Sequence, residues 1–438
     1  MTLEQGIEHF AALTPDKVAA VCGAEQITYS QLWQNIQQRA DQLRAQGAEP
    51  HRPYVYRASQ DIDFLLTYCA LHLLGAIATP LEASVSDEKL RATQEKVKAY
   101  TYSEDIVDLL FTTGTTGDAK GVMLSERALV TCAENFICDL HYTPELCYIV
   151  SGPLNHIATL FKLHPMFMIG GTVCILDGLK DLKAFYDAFS LPFTKFATFL
   201  VPASIRMLMQ FSYDLLRAQA SRIDFIETGA APISHNDMKR LAEALPSSRL
   251  YNTYGGTEIG AVCTYNFNDG RYMEGCIGRP MLHSSVTVTP DGHVVISGPT
   301  IMSGYVGEPE ASRLVLQPDG IHSSDLGYVD EDGMIHLTGR EGNTINIGGF
   351  KVDPSEVESV ATAYPGLKDC ICIAASHPVI GTVLKLLVVL DDSLSLDKRH
   401  LALFLKERLE QYKVPTLYEQ VDKVQRTYNG KLDRKFYH

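Results

Sequence analysis

Phe111-Thr112-Thr113-Gly114-Thr115-Thr116-Gly117-Asp118-Ala119-Lys120-Gly121-Val122 follows directly on the apolar run 107–111. Glycine lets a backbone turn its N–H groups inward, threonine hydroxyls add donors, and Lys120 adds a full positive charge. Such a loop at the end of a strand is a cradle for a polyphosphate. Glycine and threonine alone would suit a plain surface loop equally well; Lys120 and the preceding strand favour phosphate. A Walker A loop is excluded, because it needs Gly-Lys followed by Ser or Thr, and here Lys120 precedes Gly121.

The spelling resembles the signature loop of the AMP-forming adenylate synthetases, the superfamily of acyl-CoA synthetases, peptide adenylation domains and luciferases. That family usually writes TSGTTGxPKG, so Thr113 stands for a serine and Ala119 for a proline. The resemblance implies phosphate contacts from Thr112, Thr113, Gly114, Thr115, Thr116, Gly117 and Lys120, and it continues in order along nearly the whole chain. Gly229-Ala230-Ala231-Pro232 resembles the adenine-side loop. Tyr254-Gly255-Gly256-Thr257-Glu258 resembles the motif whose tyrosine stacks on adenine, whose threonine contacts the α-phosphate and whose glutamate ligates Mg²⁺. A carboxylate is a suitable hard ligand for that ion; by itself, such a turn could equally be structural.

Asp325, in Ser323-Ser324-Asp325-Leu326-Gly327, and Arg340 follow in family order, although the family writes TGD where this chain has Ser-Ser-Asp. A carboxylate can accept both ribose hydroxyls, and a guanidinium can bridge ribose and phosphate. Gly348-Gly349 with Phe350 and Lys351 resembles the loop that faces the site during thioester formation. Tyr428-Asn429-Gly430-Lys431 resembles the final motif, whose lysine reaches the active site during adenylation. His156 matches a position that lies against the acyl carboxylate, but a lone histidine is as readily structural. The implied catalytic set is Lys431, Glu258, Thr257 and His156, with Glu258 as the metal ligand.

The 438 residues exceed what one core supports, so more than one domain is expected. Helical and strand-like runs alternate through residue 244, which argues for parallel α/β layers. Shorter strands with Gly-Pro turns follow, and the character changes again after Arg340. The expected fold is α/β: a large N-terminal domain, 1–340, of layered α/β subdomains plus a β-rich subdomain at about 277–338. A small mobile α+β domain, 341–438, follows. The stretch between Glu95 and Asp105 is shorter than the family usually has, as in the compact O-succinylbenzoate–CoA ligases. Gly342 replaces the family's hinge aspartate or lysine and permits rotation.

A hydrophobic content of 46% with 21% charged residues is that of an ordinary soluble globular protein, and a net charge of −14 argues against a nucleic-acid partner. The ten cysteines show no metal or disulfide spacing and suit a reducing compartment. Residues 64–81 approach membrane-span length but read as a buried helix and a short strand, so no membrane span and a cytoplasmic location are expected. The resemblance implies ATP, Mg²⁺ and coenzyme A as cofactors and a carboxylic acid as substrate. No aspartate in 153–161 awaits an α-ammonium group, which favours aryl or aliphatic acids. Two alternatives stay open: an acyl carrier protein as thiol acceptor, and a non-catalytic nucleotide-binding scaffold.

Overall fold

The computed structural model describes residues 1–438 apart from 113–119, 180, 342–344, 348–349, 378–380, 393, 428–429 and 438; at 346, 350, 351, 381 and 435 it describes the backbone alone. Helix starts are set by short polar side chains. Thr2 and Thr28 each accept from the N–H of a glutamine three residues on, whose side chain bonds back to the cap N–H. These capping boxes open Leu3–Leu13 and Tyr29–Ala45. The sequence alone points to Ser30 as the second cap. Thr28 wins because Gln31 completes its box, whereas Trp33 stands at the matching position for Ser30. The helix Leu3–Leu13 is not foreseen at all, since residues 1–15 read as a mixture of polar and apolar types, and its stripe of Leu3, Ile7 and Phe10 shows only once the helix is formed.

The largest sheet begins at one edge with the hairpin Val18–Cys22 and Glu25–Thr28. Thr172–Ile175, Leu146–Val150, Lys195–Phe199, Ile223–Gly229 and Arg249–Gly256 then pair in parallel, as the alternating helices and strands imply. From Arg249–Gly256 onward the pairing turns antiparallel through Gly260–Asn266, Cys276–Pro280, Ile335–Arg340, Gly320–Val329, His293–Ser297 and Ser285–Val288. The β-rich stretch is therefore hydrogen-bonded into the same sheet path as the α/β layers. A second sheet orders Gly304–Tyr305, Gly121–Ser125, Ile106–Phe111, Ile77–Leu81 and Pro53–Arg57. After residue 351 a separate core, including Val352, Val357, Cys372, Leu386 and Leu401, closes over Leu367–His377, Gly381–Leu390 and Leu417–Gln420. All ten cysteines are free thiols, and eight of them are buried. No helix among the described residues is long and apolar enough to cross a membrane.

A polar network ties the first helix to the strand that leads into the signature loop. His72 bonds Glu4 (2.8 Å) and Asp108 (2.9 Å), while Tyr68 donates to Asp108 (2.7 Å) and lies 2.9 Å from His164 Nε2. Burial lowers the His72 pKa, but Glu4 and Asp108 override it and raise the imidazole to about 10. His164 goes the other way, pushed to about 4 by burial and by His72. The folded state thus holds the His72 proton more tightly than the unfolded chain, a stabilisation present below pH about 6.5 and lost toward 10. His164 binds its proton less tightly when folded, so stability falls as pH drops from about 6.5 to 4. Thermal melts across pH should therefore peak near neutrality, and His72→Asn should remove the alkaline decline. A decline left unchanged by that substitution would refute the assignment.

Candidate active site

In an open α/β sheet, ligands bind outside the carboxyl ends of the strands, where the strand order reverses. Here that point lies between Leu146–Val150 and Lys195–Phe199, which are sheet neighbours although Thr172–Ile175 intervenes in sequence. The segment leaving the first strand carries His156, and the segment leaving the second carries Val201. The C-terminal tail meets this crevice, because a Cβ built on Gly430 would stand 3.6 Å from Val201 Cγ2.

Two further carboxyl ends carry the residues expected on the nucleotide side. Gly229 closes Ile223–Gly229, and a Cβ there would stand 2.4 Å from Thr253 O, so only glycine lets these strand ends approach. Ala230 next to it has φ +64°, a left-handed conformation that costs a non-glycine residue energy and needs its surroundings to hold it. Strain of this kind gathers at ligand sites. Ala231 continues the loop, half-buried. The Tyr254 hydroxyl donates to Asp325 Oδ2 at 2.5 Å, fixing the ring and leaving its face for a base. Asp325 pairs across the ladder with Arg340, whose Nε lies 3.6 Å from Asp325 Oδ1 and 2.7 Å from Ser324 Oγ. Asp325 is thus a strand residue held in register opposite its partner, and no turn former. The Arg340 N–H also donates to Asp353 Oδ2 (3.1 Å).

The phosphate side is assembled from both sheets. Phe111 pairs with Gly121, and the Thr112 N–H donates to Lys120 O at 3.0 Å, so Thr112 and Lys120 stand side by side at the end of an antiparallel pair. Thr113, Gly114, Thr115, Thr116 and Gly117 lie outside the described residues, as do Gly349 and the hinge Gly342; of Lys351 only the backbone is described. Lys120 Nζ sits 4.8 Å from the Tyr305 ring centroid, and Tyr305 donates to Glu258 Oε1 at 3.0 Å. Tyr305 therefore joins the signature loop to the second motif. Sequence reasoning misses it, for a two-residue strand has no periodicity to read. Gly255 lies at a bulge opposite Ala261, and Thr257 is half-buried in the turn that brings Gly256 back to Gly260.

Among the described residues no three His, Cys, Asp or Glu side chains cluster as a metal site. Glu258 Oε2 makes no protein hydrogen bond among them either. A carboxylate oxygen with no hydrogen bond among the described residues, on the residue bonded to Tyr305 beside Lys120, fits Mg²⁺, which is held by one or two carboxylates plus substrate phosphates.

Lys431 enters from the C-terminal tail. Water reaches its side chain, yet the cleft strips away enough solvent to lower the ammonium pKa. Arg340 adds repulsion, while Glu258 and Asp325 pull the other way. Burial, and then Lys431, depress the His156 pKa to about 4. His156 is thus neutral near pH 7. Its Nδ1 accepts the Ala158 N–H (3.4 Å) at the start of Ile157–Leu160, which leaves the proton on Nε2 as a donor. One lysine therefore feels Arg340, Glu258 and Asp325 and acts on His156 at once.

A model of the AMP-binding enzyme family matches residues 7–102 and 93–306, and a model of the AMP-binding enzyme C-terminal domain matches 356–431. Feruloyl-CoA synthase of Amycolatopsis sp. is 28% identical, covering 96% of this chain and 95% of that one. The 2-succinylbenzoate–CoA ligase of Bacillus cereus is 23% identical, covering 99% and 98%. ATP-bound MatB from Rhodopseudomonas palustris shares the fold with a TM-score of 0.86 at 23% identity, over 100% of this chain and 99% of that chain. MenE from Bacillus subtilis in complex with the acyl-adenylate OSB-AMP shares it with a TM-score of 0.83 at 21% identity, over 98% and 97%. With the family model spanning most of its length, this chain belongs to the AMP-binding enzymes, the AMP-forming adenylate synthetase superfamily.

Proposed function

We propose that this chain is an AMP-forming acyl-CoA synthetase that activates a carboxylic acid lacking an α-amino group and transfers the acyl group to coenzyme A. The observation that carries the reading is the meeting of Lys431 with Glu258, Asp325, Arg340 and His156 at the carboxyl ends of the sheet. A substrate carboxylate oxygen attacks the α-phosphorus of ATP, the bond from that phosphorus to the bridging oxygen breaks, and pyrophosphate leaves. Negative charge spreads over the phosphoryl oxygens as two anions meet, and a positioned ammonium is what that transition state needs. Lys431 supplies it, Lys120 and Thr112 hold the leaving phosphates, and Thr257 donates to the α-phosphate. Asp325 and Arg340 hold the ribose, and Tyr254 the base. His156 Nε2–H orients the acyl carboxylate. Mg²⁺ at Glu258 supplies Lewis-acid charge neutralisation.

In the second step the thiol loses its proton, its sulfur attacks the acyl carbonyl, and AMP departs. The segment carrying Lys431 has no role there. Free coenzyme A is the acceptor; an excess of acidic residues on the enzyme disfavours docking of an acidic carrier protein.

Acid-dependent pyrophosphate release from ATP, with and without coenzyme A, tests the reading. Release accelerated by coenzyme A is expected, together with the acyl thioester. Release that only a phosphopantetheinylated carrier protein accelerates would replace the acceptor. ATP binding without release for any acid would replace the ligase by a scaffold. In the same assay Glu258→Ala should shift the Mg²⁺ titration of step one to higher concentration, and an unchanged titration would remove Glu258 as ligand.

A further inference from the structure

One short segment ties the strand that follows Lys120 to the turn that carries Glu258. The Met302 N–H donates to Glu258 O at 2.8 Å, and the Ser303 N–H donates to Met123 O at 2.9 Å. Gly304 and Tyr305 then pair with Met123 and Val122, and the Val306 N–H donates to Gly121 O at 2.8 Å. Residues 302–306 are thus bonded to Glu258 at one end and to the residue after Lys120 at the other. The fit leaves little slack, because a Cβ on Gly121 would stand 2.5 Å from Val306 Cγ1. From the far side the Tyr305 N–H donates to Ser312 Oγ at 2.8 Å, and that hydroxyl donates to Glu308 O at 2.8 Å.

On this strap the Tyr305 side chain serves both motifs. Its ring centroid is 4.8 Å from Lys120 Nζ, and its hydroxyl donates to Glu258 Oε1 at 3.0 Å. The residue is 8% exposed, so its ring is part of the packing. Phenylalanine would fill the same space, and packing alone therefore gives no reason for a hydroxyl. Its acceptor is a carboxylate, and a donor on one oxygen fixes the direction of the other. With Oε1 engaged, Oε2 is the oxygen left for a metal. Hydrogen bonds onto a ligating carboxylate orient it and set its affinity for the ion. The ring face acts likewise on the lysine, since an aromatic quadrupole attracts an ammonium and holds it in place.

We propose that Tyr305 is a positioning residue that sets Glu258 Oε2 for Mg²⁺ and Lys120 Nζ for the leaving phosphates, from one fixed point between them. The proposal rests on the nucleotide site of the ligase reading above and adds to it a residue that acts through two others. Its two contacts are separable: the hydroxyl serves the carboxylate, and the ring serves the lysine.

Calorimetric titration of the full chain with ATP, with and without Mg²⁺, and with AMP separates the two contacts and needs no turnover. In the wild type Mg²⁺ should tighten ATP binding. Tyr305→Phe should cut that tightening by about tenfold or more, the usual cost of removing the partner of a ligating carboxylate, and leave metal-free ATP and AMP within about twofold. Tyr305→Leu removes the ring as well. It should also weaken metal-free ATP by about tenfold and leave AMP within about twofold, because Lys120 serves phosphates that AMP lacks. Parallel losses of ATP and AMP binding would mark a tyrosine that only packs, and would overturn the proposal. Tyr305→Phe that binds ATP and Mg²⁺ like the wild type would do the same; if Tyr305→Leu does not fold, Tyr305→Phe decides alone. Wild-type ATP binding that Mg²⁺ does not tighten would take the metal from Glu258 and the proposal with it. Pyrophosphate release with no acid of any class would overturn the ligase reading alone, since these titrations contain no acid.

Discussion

Lys431→Ala should reduce acyl-adenylate formation by about a hundred- to a thousandfold, the usual cost of removing one positioned donor from a charge-developing transition state. The same variant, given a preformed acyl-adenylate and coenzyme A, should make thioester at close to the wild-type rate. The difference follows from where the lysine sits. It is carried by a segment outside the main sheet and enters the crevice through the tail that passes beside Val201. Within the crevice it feels Arg340, Glu258 and Asp325, which border the nucleotide, and it acts on His156, which borders the acid. A group shared by the nucleotide and the acid serves the step that joins them. Thiol attack on the finished adenylate needs a path for the pantetheine arm, and a lysine there would be in the way. Lys431→Arg should not rescue step one fully, because a planar fork cannot reproduce a compact ammonium. Equal loss of both half-reactions would count against this division of labour. Wild-type adenylation in Lys431→Ala would remove the lysine from the chemistry altogether.

The parts of this site that could be read from the sequence are those whose chemistry is local. Lys120, Tyr254 with Glu258, and Gly430 with Lys431 each stand inside a short run whose residue types belong together, and Gly229 precedes its loop in the same way. The structure puts the described members of these runs around one crevice. Groups that act through partners far away in sequence left no such trace. Tyr305 joins two motifs from a two-residue strand, and Asp353 bonds the Arg340 backbone from the cap of the helix Pro354–Thr362. Lys162 and Glu227 read as ordinary charged residues until the fold buries both. Secondary structure behaved alike. Pro202–Phe211 can be read at both ends, with proline at its start. Gly320–Val329 escaped notice, because its polar centre, Ser323 to Asp325, bonds Tyr254 and Arg340 where a strand would otherwise alternate. The N-terminal helix escaped because its stripe, Leu3, Ile7 and Phe10, is short and its start depends on a glutamine side chain.

Arg426→Ala should slow adenylation by about a hundredfold while leaving the thioester step near wild type, although Arg426 touches neither nucleotide nor acid. Its guanidinium grips Asp369 through Nη2 at 2.8 Å to each carboxylate oxygen, and Nη1 donates to Gly430 O at 2.7 Å. Gly430 immediately precedes Lys431, and the Thr427 N–H closes the same turn onto Lys431 O at 2.8 Å. Asp369 belongs to the strand Leu367–His377, so Arg426 braces the turn that carries Lys431 against the C-terminal sheet. A displacement of about 1 Å in a positioned group can cost a hundredfold in rate, which sets the expected size. Arg426 and Asp369 keep about a quarter of their side-chain surface in water, so the pair adds little to stability, about 1 kcal/mol or less. The thermal midpoint should therefore move far less than kcat of the first step. Asp369→Asn should act in the same direction, and the two substitutions together should cost much less than their product, because each removes the same brace. Arg426→Lys restores the charge without the fork and should recover only part of the rate. A parallel loss of both half-reactions, or a fall in stability large enough to account for the lost activity, would make Arg426 a structural residue and leave Lys431 to be positioned by its own cleft.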